Sequence, residues 1–106
     1  MRAMARVALV CPDLLFGSNV EGALRAAGHE VTRHDGGDAV GEADVIVVDL
    51  NAVELQPVEG IPAVGFYSHV DQDTRRRAER AGYDMVVPRS RMARETAAVV
   101  ERALAP

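Results

Sequence analysis

Short apolar runs separated by more polar stretches organise the chain. Four runs are rich in β-branched residues and are bounded by turn-forming residues, at positions 7–11, 45–48, 63–67 and 85–87. Nearly continuous apolar runs of this length are typical of strands that are covered on both faces, as in a parallel sheet. A fifth run, at 30–34, alternates polar and apolar residues and suits a strand at the sheet edge. The pattern therefore predicts five strands.

Three helices are predicted between and after these strands. They cover residues 18–27, 71–81 and 92–104. Gly28 and Gly82 follow the first two helices as C-terminal stops, and Ser90 is a candidate N-cap of the third. Strands that alternate with helices indicate right-handed βαβ units, so the pattern predicts an open, parallel α/β sheet.

Two connections are too short for a full helix. Residues 35–43 join the second and third strands, and residues 51–60 join the third and fourth. Each has room for a turn or two of helix, so one face of the sheet is expected to be thinly covered. An apolar surface left open in this way would favour self-association.

Composition places the chain among small globular domains. Its 106 residues suit one domain, 1–106, and 48% of them are hydrophobic. The only cysteine, Cys11, allows neither an internal disulfide nor a thiolate cluster, which suits a reducing compartment. The chain has no apolar run long enough to span a bilayer, and its first residues lead into a strand without a secretory signal. We therefore expect a cytoplasmic protein without a membrane partner.

Charge is distributed unevenly along the chain. The net charge is −4 and all 12 basic residues are arginine, most of which follow position 65. We define the arginine-rich face as Arg75, Arg76, Arg80, Arg91 and Arg94. It is either a solvated surface paired with nearby acids or a docking face for a protein partner or a second copy. The acidic total and the lack of interleaved aromatic residues argue against nucleic acid.

A ligand or reaction site is expected where the strands end. In open α/β sheets such sites lie at the carboxyl ends of the strands, where the strand order reverses. The candidate residues for this cleft are Asp13, Asp49, Tyr67, Ser68, His69 and Arg89.

Three segments resemble the receiver domain of bacterial response regulators. They are residues 7–10, residues 43–50 (ADVIVVDL) and residues 61–68 (IPAVGFYS), in the order and at the spacing of that family. The resemblance covers about residues 6–104. It implies a flavodoxin-like, CheY-like three-layer sandwich with a five-stranded parallel sheet of order 2-1-3-4-5, whose second and third helices are shortened here.

The resemblance makes Asp49 the candidate phosphoacceptor, yet most of the chemistry around it differs. Receivers hold Mg²⁺ with an acidic pair at the end of the first strand, and Cys11 and Pro12 occupy those positions here. Neither side chain is a suitable Mg²⁺ ligand. Asp13 follows one residue later, where a different side-chain direction favours a helix N-cap.

Two further receiver positions also depart from the family. Its hydroxyl residue falls at Tyr67, which is too large for that role, although Ser68 is adjacent. The family's lysine cannot exist in a chain without lysine, and Pro88 and Arg89 occupy that region. A guanidinium supplies positive charge without the compact geometry of an ammonium group.

Three hypotheses follow from these residues. The first is a non-catalytic pseudo-receiver, without metal or cofactor, that is not an enzyme and acts through dimerisation or partner docking. The second is a divergent receiver that is phosphorylated on Asp49. The third is a flavodoxin-like domain that binds a small ligand or nucleotide. Fold analogy alone does not choose among them.

Overall fold

The computed structural model describes residues 4–36, 40–54 and 56–105. Positions 37–39 and 55, which belong to the two short connections, lie outside the described residues. The elements in chain order are β1 Arg6–Val10, α1 Leu14–Ala26, β2 Glu30–His34, β3 Val45–Asp49, β4 Ala63–Tyr67, α2 Gln72–Ala81, β5 Met85–Pro88, α3 Arg89–Arg94 and α4 Thr96–Leu104.

All five predicted strands form, and they pair in parallel in the order β2-β1-β3-β4-β5. The β-branched runs become the central strands β1, β3 and β4, in which almost every residue is buried. The alternating run becomes the edge strand β2, as its pattern predicts. The predicted fold class and strand order are confirmed.

Helices α1, α3 and α4 cover one face of the sheet. Val20 and Leu24 of α1, Met92 of α3 and Val100 of α4 pack on the strands in one continuous apolar core. Helix α2 covers the other face. Ala78 is the one apolar residue of this helix that is buried in the core there. The fold is therefore a three-layer sandwich with one well-covered and one sparsely covered face.

The two helices that receivers have after β2 and after β3 are shortened here, as predicted. The described parts of both connections contain no helix at all. Apolar side chains in and next to these connections nevertheless cover this face of the sheet. Val40, Ala43, Val53 and Ile61 pack against its buried residues. Ile46, on that face, is only 1% exposed. The strands themselves are therefore covered on this face, although the layer over them is thin, as predicted. Self-association through this face stays a prediction.

Two helix boundaries differ from the sequence prediction. Helix α1 begins at Leu14 rather than at residue 18, because the Asp13 side chain caps it. The helix predicted at 92–104 is two helices that meet at Glu95, and Pro88 rather than Ser90 precedes the first. At the break the Thr96 hydroxyl donates to the Met92 carbonyl oxygen at 2.6 Å, a side-chain bond that competes with the backbone ladder.

Helix α2 agrees with the prediction at both ends. It begins after Asp71, whose carboxylate accepts the Thr74 N–H, and ends at Gly82. Gly82 has a φ of 101°, a backbone conformation that suits glycine and stops the helix. Within the described ranges, no helix is long and apolar enough to cross a membrane.

Candidate functional site

The carboxylate of Asp49 lies at the carboxyl end of β3, in the region between strand ends where the sequence predicts a cleft. Asp49 is only 2% exposed. Its Oδ1 accepts the Asn51 backbone N–H at 3.2 Å, and its Oδ2 accepts the Cys11 thiol at 3.8 Å. A carboxylate buried to this degree requires compensating partners.

Arg89 supplies the positive charge. Its Nη1 lies 3.6 Å from Asp49 Oδ2, and its Nη2 donates to Asp13 Oδ2 at 2.8 Å. The guanidinium also lies 4.3 Å above the centroid of the Phe16 ring and 5.9 Å from that of Phe66. Arg89 therefore joins two carboxylates, packed on an aromatic floor that favours a cation.

Asp13 has two roles in this arrangement. Its Oδ1 accepts the Phe16 N–H at 3.0 Å, which is the predicted N-cap of α1. Its other oxygen binds Arg89, so the side chain is directed toward the cleft more than the sequence suggested. The Phe16 N–H bond first, and then the charge of Arg89, hold the pKa of Asp13 below its ordinary value.

Acid is expected to remove the contribution of Asp13 to stability. Since folding lowers its pKa, the contribution is fully present above the ordinary value of 3.8 and is lost as the pH falls through the folded value. Asp13→Asn keeps the capping ability but not the charge. In urea unfolding at several pH values, the wild type should be the more stable of the two at neutral pH, and the difference should disappear in acid. A pH-independent difference would contradict the ion pair with Arg89.

Three further candidates, Tyr67, Ser68 and His69, lie at the end of β4 and directly after it. Tyr67 is buried at the end of β4, and His69 is exposed. The Ser68 backbone N–H donates to Asn51 Oδ1. Within the described ranges, no hydrogen bond joins any of these three side chains to Asp49. The described contacts thus join Asp13, Asp49 and Arg89, and a place for residues 67–69 in the same cleft stays a prediction.

Asn51 connects the cleft to α2. Its backbone N–H binds Asp49, its Oδ1 accepts from Ser68, and its Nδ2 donates to Asp71 Oδ2 at 2.8 Å. Asp71 also accepts the hydroxyl and the N–H of Thr74, and these bonds lower its pKa. The loop after β3 is thereby joined to the start of α2.

Arg33, on the edge strand β2, supports the cleft from the other side. Its Nη2 donates to the carbonyl oxygens of Cys11 at 3.3 Å and of Asp13 at 3.5 Å, and its Nη1 pairs with Glu21 at 3.4 Å. The guanidinium passes directly over Gly17, where a Cβ atom would lie 2.3 Å from Nη2. No sequence pattern marks this residue, because its contacts are distant along the chain.

Two glycines of α1 provide a matched test of this packing. Gly22→Ala has no atom within 4 Å of the new methyl group, and we expect it to raise the free energy of unfolding by about 1 kcal/mol through helix propensity. Gly17→Ala displaces the Arg33 guanidinium, and we expect a net loss of about 1 kcal/mol because its bonds to the Cys11 and Asp13 carbonyl oxygens are lost. Urea unfolding followed by circular dichroism measures both. Equal gains in the two variants would contradict the position of Arg33.

The residues at this site do not fit the Mg²⁺ ion that the receiver resemblance implies. Mg²⁺ requires octahedrally arranged oxygen ligands. Cys11 offers a thiol whose pKa is raised by burial, and the carboxylate of Asp13 already binds Arg89. Within residues 4–36, 40–54 and 56–105, no group of three or more His, Cys, Asp or Glu side chains is placed to bind a metal.

The arginine-rich face extends around the edge strand β5, because α2 and α3 contact this strand from opposite faces of the sheet. Several of its arginines pair within their own helix or with the residue after it. The pairs are Arg75 with Glu79 at 3.3 Å, Arg76 with Asp73, Arg91 with Glu95 at 3.7 Å and Arg94 with Glu95 at 3.2 Å. Arg80 has no ion pair with any described residue. The positive charge of this face is therefore partly neutralised by neighbouring carboxylates.

The strand order, and a cleft formed at the ends of β1, β3 and β5, define a CheY-like flavodoxin fold. Solved structures agree. The receiver domain of NtrX from Brucella abortus matches with a TM-score of 0.79 and 20% identity, over 92% of this chain and 97% of that chain. The phosphorylated cyanobacterial phytochrome response regulator RcpA matches with a TM-score of 0.76 and 16% identity, over 97% and 96% of the two chains.

A longer structure of NtrX from Brucella abortus matches with a TM-score of 0.82 and 20% identity, over 96% of this chain. The present chain spans 27% of the length of that protein. No protein-family model matches the chain, and no curated protein sequence matches it. Similarity at these identities establishes that the chain has the fold of response-regulator receivers.

Proposed function

We propose that the chain is a receiver-like signalling module that accepts no phosphoryl group, catalyses no reaction and acts by docking to a protein. The observation that carries the proposal is the position of Arg89. Its guanidinium joins Asp49 to Asp13 where a receiver of the family type holds its metal ion. The site thus contains its own fixed cation.

Phosphoryl transfer to Asp49 lacks support from the surrounding groups. The reaction needs a free carboxylate oxygen in line with the phosphorus atom and cations that neutralise the equatorial oxygens. Both oxygens of Asp49 already have partners, namely Asn51 on one side and Cys11 with Arg89 on the other. RcpA, which has a similar fold, was solved as a phosphorylated protein, so phosphorylation of Asp49 is the alternative that experiment must address.

Docking through the arginine-rich face is the activity left to such a module. The face carries five exposed or half-exposed arginines on two helices that flank β5. Charged residues of this kind steer association and set specificity. A second copy of the chain is the first partner to consider, and we also propose a cytoplasmic location.

The assembly state tests this proposal. Size-exclusion chromatography with light scattering, over a range of protein concentrations, should show a dimer that the double variant Arg76→Glu/Arg80→Glu converts to a monomer. Arg102→Glu, an equal charge change per site on α4 away from the face, is the control and should leave the dimer intact. A protein that is monomeric at every concentration and captures no partner from an extract of its own cells would contradict the proposal.

A further inference from the structure

A groove lies beside α2, where the short connection after β3 leaves space. One wall is formed by residues 50–54 and 56, the other by α2, and the volume is about 260 Å³. The apolar lining comes from Leu50, Val53, Ala78 and Ala81. This groove is separate from the cleft at Asp49, because it lies over the sparsely covered face of the sheet.

The groove has a cationic rim on the α2 side. Arg77 lines it, and Arg80 follows one helical turn later at the adjoining surface. Arg77 Nη2 donates to the Thr74 hydroxyl at 3.3 Å, and neither arginine has an ion pair with a described residue. Arg75 and Arg76 on the same helix, by contrast, are paired with Glu79 and Asp73. The two arginines of α2 that form no ion pair with a described residue are therefore next to the groove, although Arg77 also interacts electrostatically with Asp71.

Size and charge together indicate the occupant. A volume near 260 Å³ lies below the range of about 300–1,000 Å³ that is usual for small-molecule sites, and it holds a few side chains. Glu54 lies on the wall opposite Arg77, so an acidic group of the occupant would face α2. Apolar side chains fit the space between the two walls.

We propose that this groove binds a peptide segment of a partner protein that carries apolar side chains next to acidic ones. The inference rests on the proposed docking function and specifies its partner chemistry. Apolar side chains of the segment bury Leu50, Val53 and Ala81 further, and its carboxylates pair with Arg77 and Arg80. Apolar contacts then supply affinity, and the charges supply orientation.

The probe is a phage-displayed library of short random peptides, selected on the immobilised wild-type chain. The enriched peptides should combine acidic and apolar residues. Fluorescence anisotropy with one of them should show Arg77→Glu weakening the Kd by about tenfold or more. Arg102→Glu, the same charge change on α4 outside both the groove and the arginine-rich face, should alter the Kd by less than about threefold.

Ala81→Leu, which fills the groove without changing charge, should weaken the binding of the same peptide to a similar extent. Circular dichroism should confirm that each variant is folded. If peptide binding depended on Arg75 or Arg76 and were unaffected by Ala81→Leu, the groove would not be the binding site, but the proposed docking function would stand. No enrichment would overturn the groove, and the assembly experiment would still judge the proposed function separately. A small organic anion that raises the thermal midpoint of the wild type but not of Arg77→Glu would replace the peptide with a small ligand.

Discussion

Arg89→Met is expected to lower the free energy of unfolding by about 2–3 kcal/mol, because it leaves the buried Asp49 carboxylate without its cation. The expected loss is below that of a fully buried pair, since the Arg89 side chain is 33% exposed. Methionine retains apolar contact with the Phe16 ring, so the variant removes mainly the charge. Urea unfolding at neutral pH measures the difference.

Arg94→Met is the matched control for this prediction. Arg94 lies on the same helix, but its partner Glu95 is itself well exposed, and such pairs contribute about 0–1 kcal/mol. The double variant Arg89→Met/Asp49→Leu should recover most of the lost stability, because it removes the uncompensated carboxylate. Equal losses for Arg89→Met and Arg94→Met would show that the cation contributes nothing specific to the cleft.

Phe66→Ala is expected to cost about 3–5 kcal/mol, the usual range for removing a fully buried aromatic ring. Phe66 has no exposed surface, and in the sheet register it is paired with Asp49. Its ring centroid lies 5.1 Å from that of Phe16, and together the two rings form the floor under Arg89. The cavity left by alanine would weaken both the core and the support of the guanidinium.

Phe66→Leu serves as the comparison, because it keeps most of the apolar volume. We expect it to lose about half of what Phe66→Ala loses or less. Thermal and urea unfolding of both variants give the two values. Similar small losses for the two variants would mean that the ring is not packed as described.

The strand pattern predicts most of the sheet because its causes are local. A β-branched apolar run such as residues 45–48 is stable as a strand in a sheet that is covered on both faces. Gly82 predicts the end of α2, since a left-handed glycine acts within a turn of the helix, whereas the capping role of Asp71 became visible only in the structure. The order of the strands, in contrast, came from the resemblance to receivers rather than from the pattern.

The arrangement of the cleft depends on contacts between distant segments, which no local pattern shows. Arg89 reaches Asp13 across 76 positions, and Arg33 reaches the Cys11 carbonyl oxygen across 22. The sequence identified Arg89 as a cation near the cleft but gave no means of assigning its partners. The break at Glu95 was not predicted, because the apolar positions of 92–104 continue at helical spacing across it.

Arg89 has a simple physical role, because its guanidinium lies against the buried Asp49 carboxylate. In a receiver that works by phosphorylation, charge at the buried aspartate changes with the state of the protein. Under the proposed function the guanidinium compensates that charge in place of a switch, and Asn51 joins the site to the start of α2 through its bonds to Asp49 and Asp71. We therefore expect the surfaces of α2 to present one state to their partners.

Incubation of the chain with acetyl phosphate and Mg²⁺, followed by intact-mass spectrometry, tests this claim most directly. The account predicts an unchanged mass under conditions in which a phosphorylatable receiver, treated in parallel, gains one phosphoryl group. A mass increase of one phosphoryl group that Asp49→Asn abolishes would contradict the account and identify the chain as a working phosphoacceptor.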